Sequence, residues 1–186
     1  MKLFERAIRR ANIPIAMSKG FNPHPKLSIP LALSVGIAGK DEVLELELLK
    51  SMPPKNLVEQ LNLQLPKEIH ILSGELVADT EKSWVSDVLY EVIFKDPGFL
   101  NMAKVNELLL QPSIVIIRSK NGRQKPFDIR PSIQAITVKP DRLIISIKAE
   151  TEGMAKPEEV VHSLLGNEKN ETFKITRIKV NLSSSV

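Results

Sequence analysis

The sequence of 186 residues contains no cysteine and only three histidines. Without cysteine the chain forms no disulfides, thiolate zinc sites or iron–sulfur clusters, and it has no cysteine nucleophile. No two of His24, His70 and His162 have the sequence spacing of a metal-ligand pair. We therefore predict no metal site and no cofactor.

Long apolar runs and aromatic residues are also scarce. No apolar run approaches the roughly 18 residues of a membrane span, and the Arg-rich start of the chain lacks the apolar core of a secretory signal. We therefore expect a cytoplasmic protein without membrane contact. Aromatic residues make up 4% of the sequence, which argues against a sheet platform that stacks a series of bases. Gly-rich phosphate loops and the G-x-S-x-G motif are missing too, so no catalytic centre is predicted.

Charge is distributed unevenly along the chain, although the net charge is only +4. Residues 1–40 carry seven Lys/Arg and one Glu, a net charge of +6. Residues 41–100 have a net charge of −7, and residues 101–186 have a net charge of +5. Such separation favours contact of the basic segments with acidic partners, including nucleic acid.

The second half of the chain has the pattern of a β-α-β-β-α-β unit with one additional strand. Its predicted strands are 90–94, 113–118, 132–138, 143–148 and 174–182, and its predicted helices are 99–110 and 157–166. Pro157 in the first turn and Gly166 at the end are typical of helix termini. Residues 119–127 are predicted to form a basic loop.

The first half repeats this order, except at its start. Its predicted helices are 2–12 and 53–65, and its predicted strands are 13–17, 27–35, 43–49 and 68–72. No strand precedes the first helix, so we expect the first sheet to be incomplete or completed by another segment. The predicted fold class is α+β, a tandem ferredoxin-like (βαββαβ) duplication whose first repeat lacks its first strand.

The duplication implies domain boundaries. The first repeat is predicted to span residues 1–78 and the second residues 89–182. Residues 79–88, which are mostly polar, form the predicted linker, and residues 183–186 form a frayed tail.

The first group of candidate binding residues lies near the start of the chain. Arg6, Arg9 and Arg10 share the polar side of the first helix, and guanidinium groups bind phosphates well. The following loop adds Lys19, Phe21, Asn22, His24 and Lys26. Its prolines stiffen the backbone, and the loop could hold a phosphate or a base edge. The alternatives are a solvated helix face and a turn that joins two strands, with Phe21 in the core.

The second group is a basic cluster formed by Arg118, Lys120, Arg123, Lys125 and Arg130. Asn121-Gly122 predicts a hairpin tip within it. The cluster could be an electrostatic footprint for RNA or a charged edge that prevents aggregation. Asp128 and Arg130 are predicted to form a structural ion pair, with a catalytic role as the alternative.

The segment Phe4–Ser28 carries a family resemblance, supported by Leu33–Gly36, Val43–Glu47 and Phe127–Pro131. It resembles an uncharacterised bacterial domain that is fused to, or encoded beside, radical SAM proteins. Members usually begin with a strand and a Ser-His-Leu-Asp segment, which this chain lacks, so the resemblance implies an N-terminal truncation. It also implies an accessory role to a radical SAM enzyme, such as one that acts on RNA.

These observations favour a non-catalytic module with a radical SAM protein, and tRNA or rRNA, as partners. One alternative is a metal-independent RNA-processing enzyme with His24 as general acid or base and Lys19 or Lys26 stabilising the transition state. Another alternative is a domain that docks only to protein through an apolar patch.

Overall fold

The computed structural model describes residues 1–77, 83–96, 98, 101–120, 122–149, 153–166 and 172–184. Its α-helices are α1 (Lys2–Arg10), α2 (Pro54–Asn62), α3 (Met102–Leu110) and α4 (Pro157–Leu165). Its strands are β1 (Leu27–Ser28), β2 (Ala38–Gly39), β3 (Glu45–Leu46), β4 (Ser83–Phe94), β5 (Val115–Lys120), β6 (Arg123–Asp128), β7 (Ile133–Val138), β8 (Arg142–Lys148) and β9 (Phe173–Ser184). The α+β class is confirmed. Within the described residues, every helix is too short or too polar to cross a membrane.

The chain divides into two compact units. Unit 1 contains Met1–Pro30 and the described part of Leu44–Lys82, whereas unit 2 contains Leu31–Val43 and the described part of Ser83–Ser184. This division differs from the predicted repeats, because residues 31–43 pack within the second unit. The predicted linker differs as well. Its residues 83–88 belong to β4, and residues 79–82 lie outside the described part of the chain.

Unit 2 is built on a five-stranded sheet with the strand order β2-β9-β4-β8-β7. Every neighbouring pair is antiparallel except β2 and β9, which run parallel. When β2 and the β5–β6 hairpin are left out, the remaining elements of unit 2 follow the β-α-β-β-α-β order predicted for the second half. The long strands β4 and β9 lie side by side at the centre and form the longest ladder of the sheet.

Alternation along the strands places one apolar side of this sheet in the core. Leu143, Ile145 and Ile147 of β8 are fully buried, with polar or half-buried residues between them. Helices α3 and α4 complete the core with Val105, Leu108, Val160, Val161, Leu164 and Leu165. Burial of side chains of this size contributes about 1.5–3 kcal/mol each, which makes this core the main source of stability in unit 2.

The hairpin formed by β5 and β6 is a separate two-stranded sheet inserted between α3 and β7. Strand β5 is predicted from the sequence, and Asn121-Gly122 indicates a hairpin tip, but residues 119–127 are predicted to form a loop, so the prediction for the β6 residues was wrong. Charged residues and Pro126 hide the strand pattern in this segment. Pairing with β5, from Val115↔Asp128 to Lys120↔Arg123, holds it extended.

Unit 1 has two helices and little regular sheet. Its core contains Ala7 and Ile8 of α1, together with Ile13 and Leu61. Strands β1 and β3 pair over two residues each, and isolated bridges join Ile15 to Leu48 and Met17 to Pro25. Among residues 1–77, therefore, no continuous four-stranded sheet forms.

The tandem duplication is not confirmed, because most of the strands predicted for the first half do not pair into ladders. Prolines at positions 14, 23, 25 and 30 remove backbone donors and limit the ladder. The predicted strand at residues 68–72 is not formed. Instead, the Asn62 side chain bonds both backbone groups of Ile71, with Ile71 N–H donating to Asn62 Oδ1 at 2.7 Å and Nδ2 donating back at 2.9 Å.

Candidate nucleic-acid interface

Helix α1 presents two unengaged arginines to solvent. Ala7 and Ile8 face the core of unit 1, which leaves Arg6 and Arg9 on the exposed side. Neither guanidinium makes a hydrogen bond or an ion pair with any described residue. Both groups are therefore available for an external anion.

Arg10, the third predicted arginine, is hydrogen-bonded to another residue of unit 1. Its guanidinium donates to the backbone carbonyl of Gln64 and, at 3.2 Å, to Gln64 Oε1. It borders a shallow groove of about 460 Å³ that is lined by Leu3, Arg6, Arg10, Gln64, Leu65 and Pro66. Arg10 thus stabilises the groove, and Arg6 supplies the unengaged charge at its edge.

The loop from Ser18 to His24 is closed by hydrogen bonds at its base. Ser18 N–H donates to the His24 carbonyl at 2.8 Å, and His24 N–H donates to Ser18 Oγ at 2.9 Å. The Met17–Pro25 bridge lies directly behind these bonds. The loop is therefore a defined turn in which the backbone of His24, not its imidazole, makes the structural contacts.

The tip of this loop exposes an aromatic ring. Phe21 has a relative exposure of 106%, so the alternative that placed it in the core is wrong. Gly20 has φ +136°, a region that L side chains rarely adopt, and this turn projects the next residue outwards. Lys19 and Asn22 flank the tip and are exposed. The Lys19 ammonium has no partner among the described residues.

Lys26, the last predicted residue of the loop, is paired. Its Nζ lies 2.7 Å from Glu47 Oε1 and 2.8 Å from Glu47 Oε2, and both side chains are partly exposed. An external phosphate would have to compete with this carboxylate. Of the binding candidates predicted near the start of the chain, the cations without a partner among the described residues are therefore Arg6, Arg9 and Lys19.

In the second basic cluster, Arg118 is engaged inside unit 2. Its guanidinium binds Glu159 through two hydrogen bonds of 2.9 and 2.7 Å and donates to the Met154 carbonyl at 2.7 Å. It also lies 3.7 Å from the centre of the Phe127 ring. This residue ties the hairpin to α4.

Arg130 is engaged as well. Its guanidinium donates to the carbonyls of Leu109, at 3.1 and 2.8 Å, and Ile133, at 3.1 Å. The ion pair predicted with Asp128 is not the main contact, because Asp128 Oδ1 accepts from the backbone N–H groups of Ile114 and Arg130. These hydrogen bonds, that from Ile114 first, lower the pKa of Asp128. Arg130 thus secures the chain between the hairpin and β7.

The hairpin tip keeps two exposed cations. Arg123 and Lys125 on β6 are exposed, and neither has a partner among the described residues. The Lys120 backbone pairs with Arg123, whereas its side chain and Asn121 lie outside the described part of the structure. Among the described side chains, the tip therefore offers Arg123 and Lys125 to an external anion.

The candidates predicted from the sequence do not include two clusters of charged residues that join segments of unit 2. Arg177 on β9 is 1% exposed and donates to Glu42 and to the carbonyls of Leu31 and Ala32. One feature of the sequence could have indicated the burial of Arg177. It lies two residues after Ile175 in a strand, so both side chains lie on the same, buried side of the sheet. The partner, Glu42, lies 135 residues away in the sequence, which no local pattern indicates.

A second charged cluster surrounds Glu91 on β4. Arg142 Nη1 lies 2.7 Å from the carboxylate and Lys40 Nζ lies 3.3 Å from it. The hydrogen bond from Arg142, followed by the contact with Lys40, lowers the pKa of Glu91 despite its burial. The cluster joins three segments of unit 2 and leaves no unpaired carboxylate for acid–base chemistry.

The arrangement supports binding of an anion with an aromatic or apolar portion. The described residues contain no group of three or more His, Asp or Glu that could hold a metal ion. His24 is exposed, and among the described residues its imidazole has no hydrogen-bonding partner that would orient it. A general base normally has such an orienting group.

Comparison with known proteins identifies a family. A family model described as "Uncharacterized protein conserved in bacteria (DUF2344)" matches residues 1–169. No curated protein matches the chain.

Proposed function

The chain belongs to this conserved bacterial family, and we propose that it is a non-catalytic accessory module that contacts RNA through the basic surface of unit 1. We further propose that it serves a radical SAM protein, as the resemblance of segment Phe4–Ser28 implies. The RNA classes proposed are tRNA and rRNA.

The observation that carries the proposal is the difference between engaged and unengaged cations. Arg10 and Lys26 have partners within unit 1, whereas Arg6, Arg9 and Lys19 have none among the described residues. An exposed cation is well solvated by itself, but three of them within fourteen residues, two arginines and one lysine, raise the local positive potential. Each can neutralise one phosphate and release its counterions, which is the principal source of affinity for nucleic acids.

Sequence composition strengthens the argument. Residues 6–30, which lie in unit 1, contain five Lys/Arg and no Asp or Glu. An acidic protein could also bind such a segment, but the loop adds an exposed ring two residues from Lys19, and nucleic acid offers phosphates and aromatic faces together. RNA therefore satisfies both features of this surface.

Catalysis by His24 has less support. Lys26, one of the two lysines proposed to stabilise a transition state, is paired with Glu47. The imidazole has no orienting partner among the described residues. If the chain nevertheless cleaves RNA without metal, His24→Ala should abolish the cleavage and preserve the binding.

The proposed fold relationship is the tandem duplication predicted from the sequence, in which residues 1–78 and 89–182 are ferredoxin-like repeats and the first repeat lacks its first strand. In both units a helix that begins near proline, Pro54 in α2 and Pro157 in α4, follows the predicted β-hairpin. The support for this duplication is the predicted order of elements, since the observed ladders of the two halves differ.

The test is binding of the chain to bulk tRNA and rRNA fragments at about 50 mM and about 200 mM salt. The double variant Arg6→Ala/Arg9→Ala should bind more weakly, and the slope of log affinity against log salt should fall by roughly 1.4 for single strands because two phosphate contacts are lost. The charge-matched control Lys55→Ala/Lys67→Ala removes two exposed lysines elsewhere in unit 1 and should bind like the wild type.

No RNA binding by the wild type at low salt would refute the RNA contact. Equal weakening by both double variants would show non-specific attraction and would also refute a defined surface. Association with the radical SAM protein is tested by co-elution of the two purified proteins at high salt. Separate elution at every protein concentration would refute that partner.

A further inference from the structure

We infer that Phe21 stacks on an unpaired base, so that the RNA bound by unit 1 is recognised at a single-stranded, looped or bulged nucleotide. This inference rests on the proposed function and specifies its ligand. Sequence composition alone argued against stacking, because aromatic residues are few. A single projecting ring, however, needs only one base.

The first observation is the exposure of Phe21. Its relative exposure is 106%, so the ring has no packing contact that would stabilise the fold. Burial of a phenylalanine ring is strongly favourable, and this tip forgoes it. Val35 in unit 2 is exposed to a similar degree, 104%, but its aliphatic side chain has no aromatic face.

The second observation is the fixed geometry of the loop. The two Ser18–His24 hydrogen bonds and the Met17–Pro25 bridge close its base. Asn22 precedes Pro23, which restricts its backbone. A ring held on such a turn loses little conformational freedom when it binds, and this pre-organisation favours affinity.

The third observation is the charge around the ring. Lys19 is two residues from Phe21 and has no partner among the described residues. No acidic residue occurs between positions 6 and 30, and Glu47, whose carboxylate lies against Lys26, is neutralised by that pairing. In a duplex the base faces are covered by their neighbours, whereas an unpaired base can turn its face to an aromatic side chain. The ligand that fits is therefore RNA with an exposed base.

The experiment compares a single-stranded oligoribonucleotide with a duplex of the same sequence. Phe21→Ala should weaken single-strand binding roughly 5- to 150-fold, the range for loss of one stacked base, and should change duplex binding little. Phe21→Leu keeps an apolar side chain but removes the ring, so it should be weakened nearly as much. Val35→Ala is the matched control and should bind like the wild type.

A direct readout uses fluorescence. In a Trp84→Phe background, which removes the single tryptophan of the chain, Phe21→Trp places an indole at the loop tip. Single-stranded RNA should quench this indole, and an oligonucleotide of abasic sites should bind without quenching. Because Phe21 is exposed, the substitutions at position 21 should leave the circular dichroism and the unfolding midpoint unchanged.

The outcomes separate the two proposals. If the wild type binds RNA and Arg6→Ala/Arg9→Ala weakens it, but Phe21→Ala does not, the stacking inference is overturned and the proposed function stands. If Phe21→Leu binds single strands like the wild type, the tip is an apolar contact of the kind used for proteins, and stacking is again overturned. If the wild type binds no RNA, both proposals fail.

Discussion

Arg177 on β9 and Glu42 on the segment before β3 form a paired contact in unit 2, with both carboxylate oxygens accepting from the guanidinium. Arg177 is 1% exposed, and its remaining donors bind the carbonyls of Leu31 and Ala32. A buried guanidinium is costly unless its donors are satisfied. This pair therefore helps to hold residues 31–43 on the sheet of unit 2, together with the pairing of β2 with β9.

The first prediction concerns this pair. Glu42→Ala leaves the buried guanidinium without its counter-charge, and we expect a loss of about 3 kcal/mol in the free energy of unfolding. Urea unfolding followed by circular dichroism measures it. Asp41→Ala is the control, because Asp41 is exposed and adjacent and has no partner among the described residues. Equal stability of the two variants would show that the pair does not hold the segment.

The second prediction concerns acid stability. The hydrogen bond from Arg142, with Lys40, makes the pKa of Glu91 lower in the folded chain than in the unfolded chain. Its contribution is therefore fully present above the unfolded pKa, near 4.3, and is lost as pH falls through the lower folded value. Glu91→Gln should be less stable than the wild type at pH 7, and the difference should shrink below about pH 5.

Unfolding free energies measured in urea between neutral and acidic pH test this dependence. Asp128 also has a lowered pKa, but it is present in both proteins and cancels in the comparison. A difference between wild type and Glu91→Gln that stays constant with pH would contradict the assignment of the shift to Glu91.

The regular part of unit 2 could be predicted from local patterns. Alternation identified β8, whose Leu143, Ile145 and Ile147 are buried. Pro157 and Gly166 marked the ends of α4 within one residue, and Gly166 has the positive φ of 55° that a helix end favours. These features depend on neighbours in sequence, so the sequence alone contains the information.

Unit 1 and the charged contacts could not be predicted in the same way. The apolar segment Leu27–Val35 has a strand composition, yet only Leu27 and Ser28 form a ladder, since Pro30 removes a donor. From the sequence, Arg6 and Arg118 are also equivalent candidates for binding nucleic acid. Only the positions of Glu159 and Met154, about forty residues further along the chain, show that Arg118 is engaged and Arg6 is not.

The third prediction separates these two kinds of arginine in the hairpin. Arg118→Ala removes the paired hydrogen bonds to Glu159 and the contact with Phe127, and it should cost about 2 kcal/mol of stability. Arg123→Ala, at the exposed tip, should change stability by less than about 0.5 kcal/mol. Thermal and urea unfolding of the two variants measure these losses of stability. If Arg123→Ala is the more destabilised protein, the assignment of engaged and unengaged cations is wrong.

The last prediction concerns Gly20, whose φ of +136° directs the loop tip. A Cβ at this position would meet no atom within 4 Å, so Gly20→Ala introduces backbone strain without a clash, roughly 1–3 kcal/mol if the loop keeps its shape. Since the tip is exposed, the loop should relieve the strain by moving Phe21 while unit 1 stays folded. Single-strand RNA affinity should then fall towards that of Phe21→Ala, whereas Asn22→Ala, which leaves the backbone free of strain, should bind more tightly than Gly20→Ala. Wild-type affinity in Gly20→Ala would mean that the ring needs no fixed position, and the pre-organisation argued for this loop would be wrong.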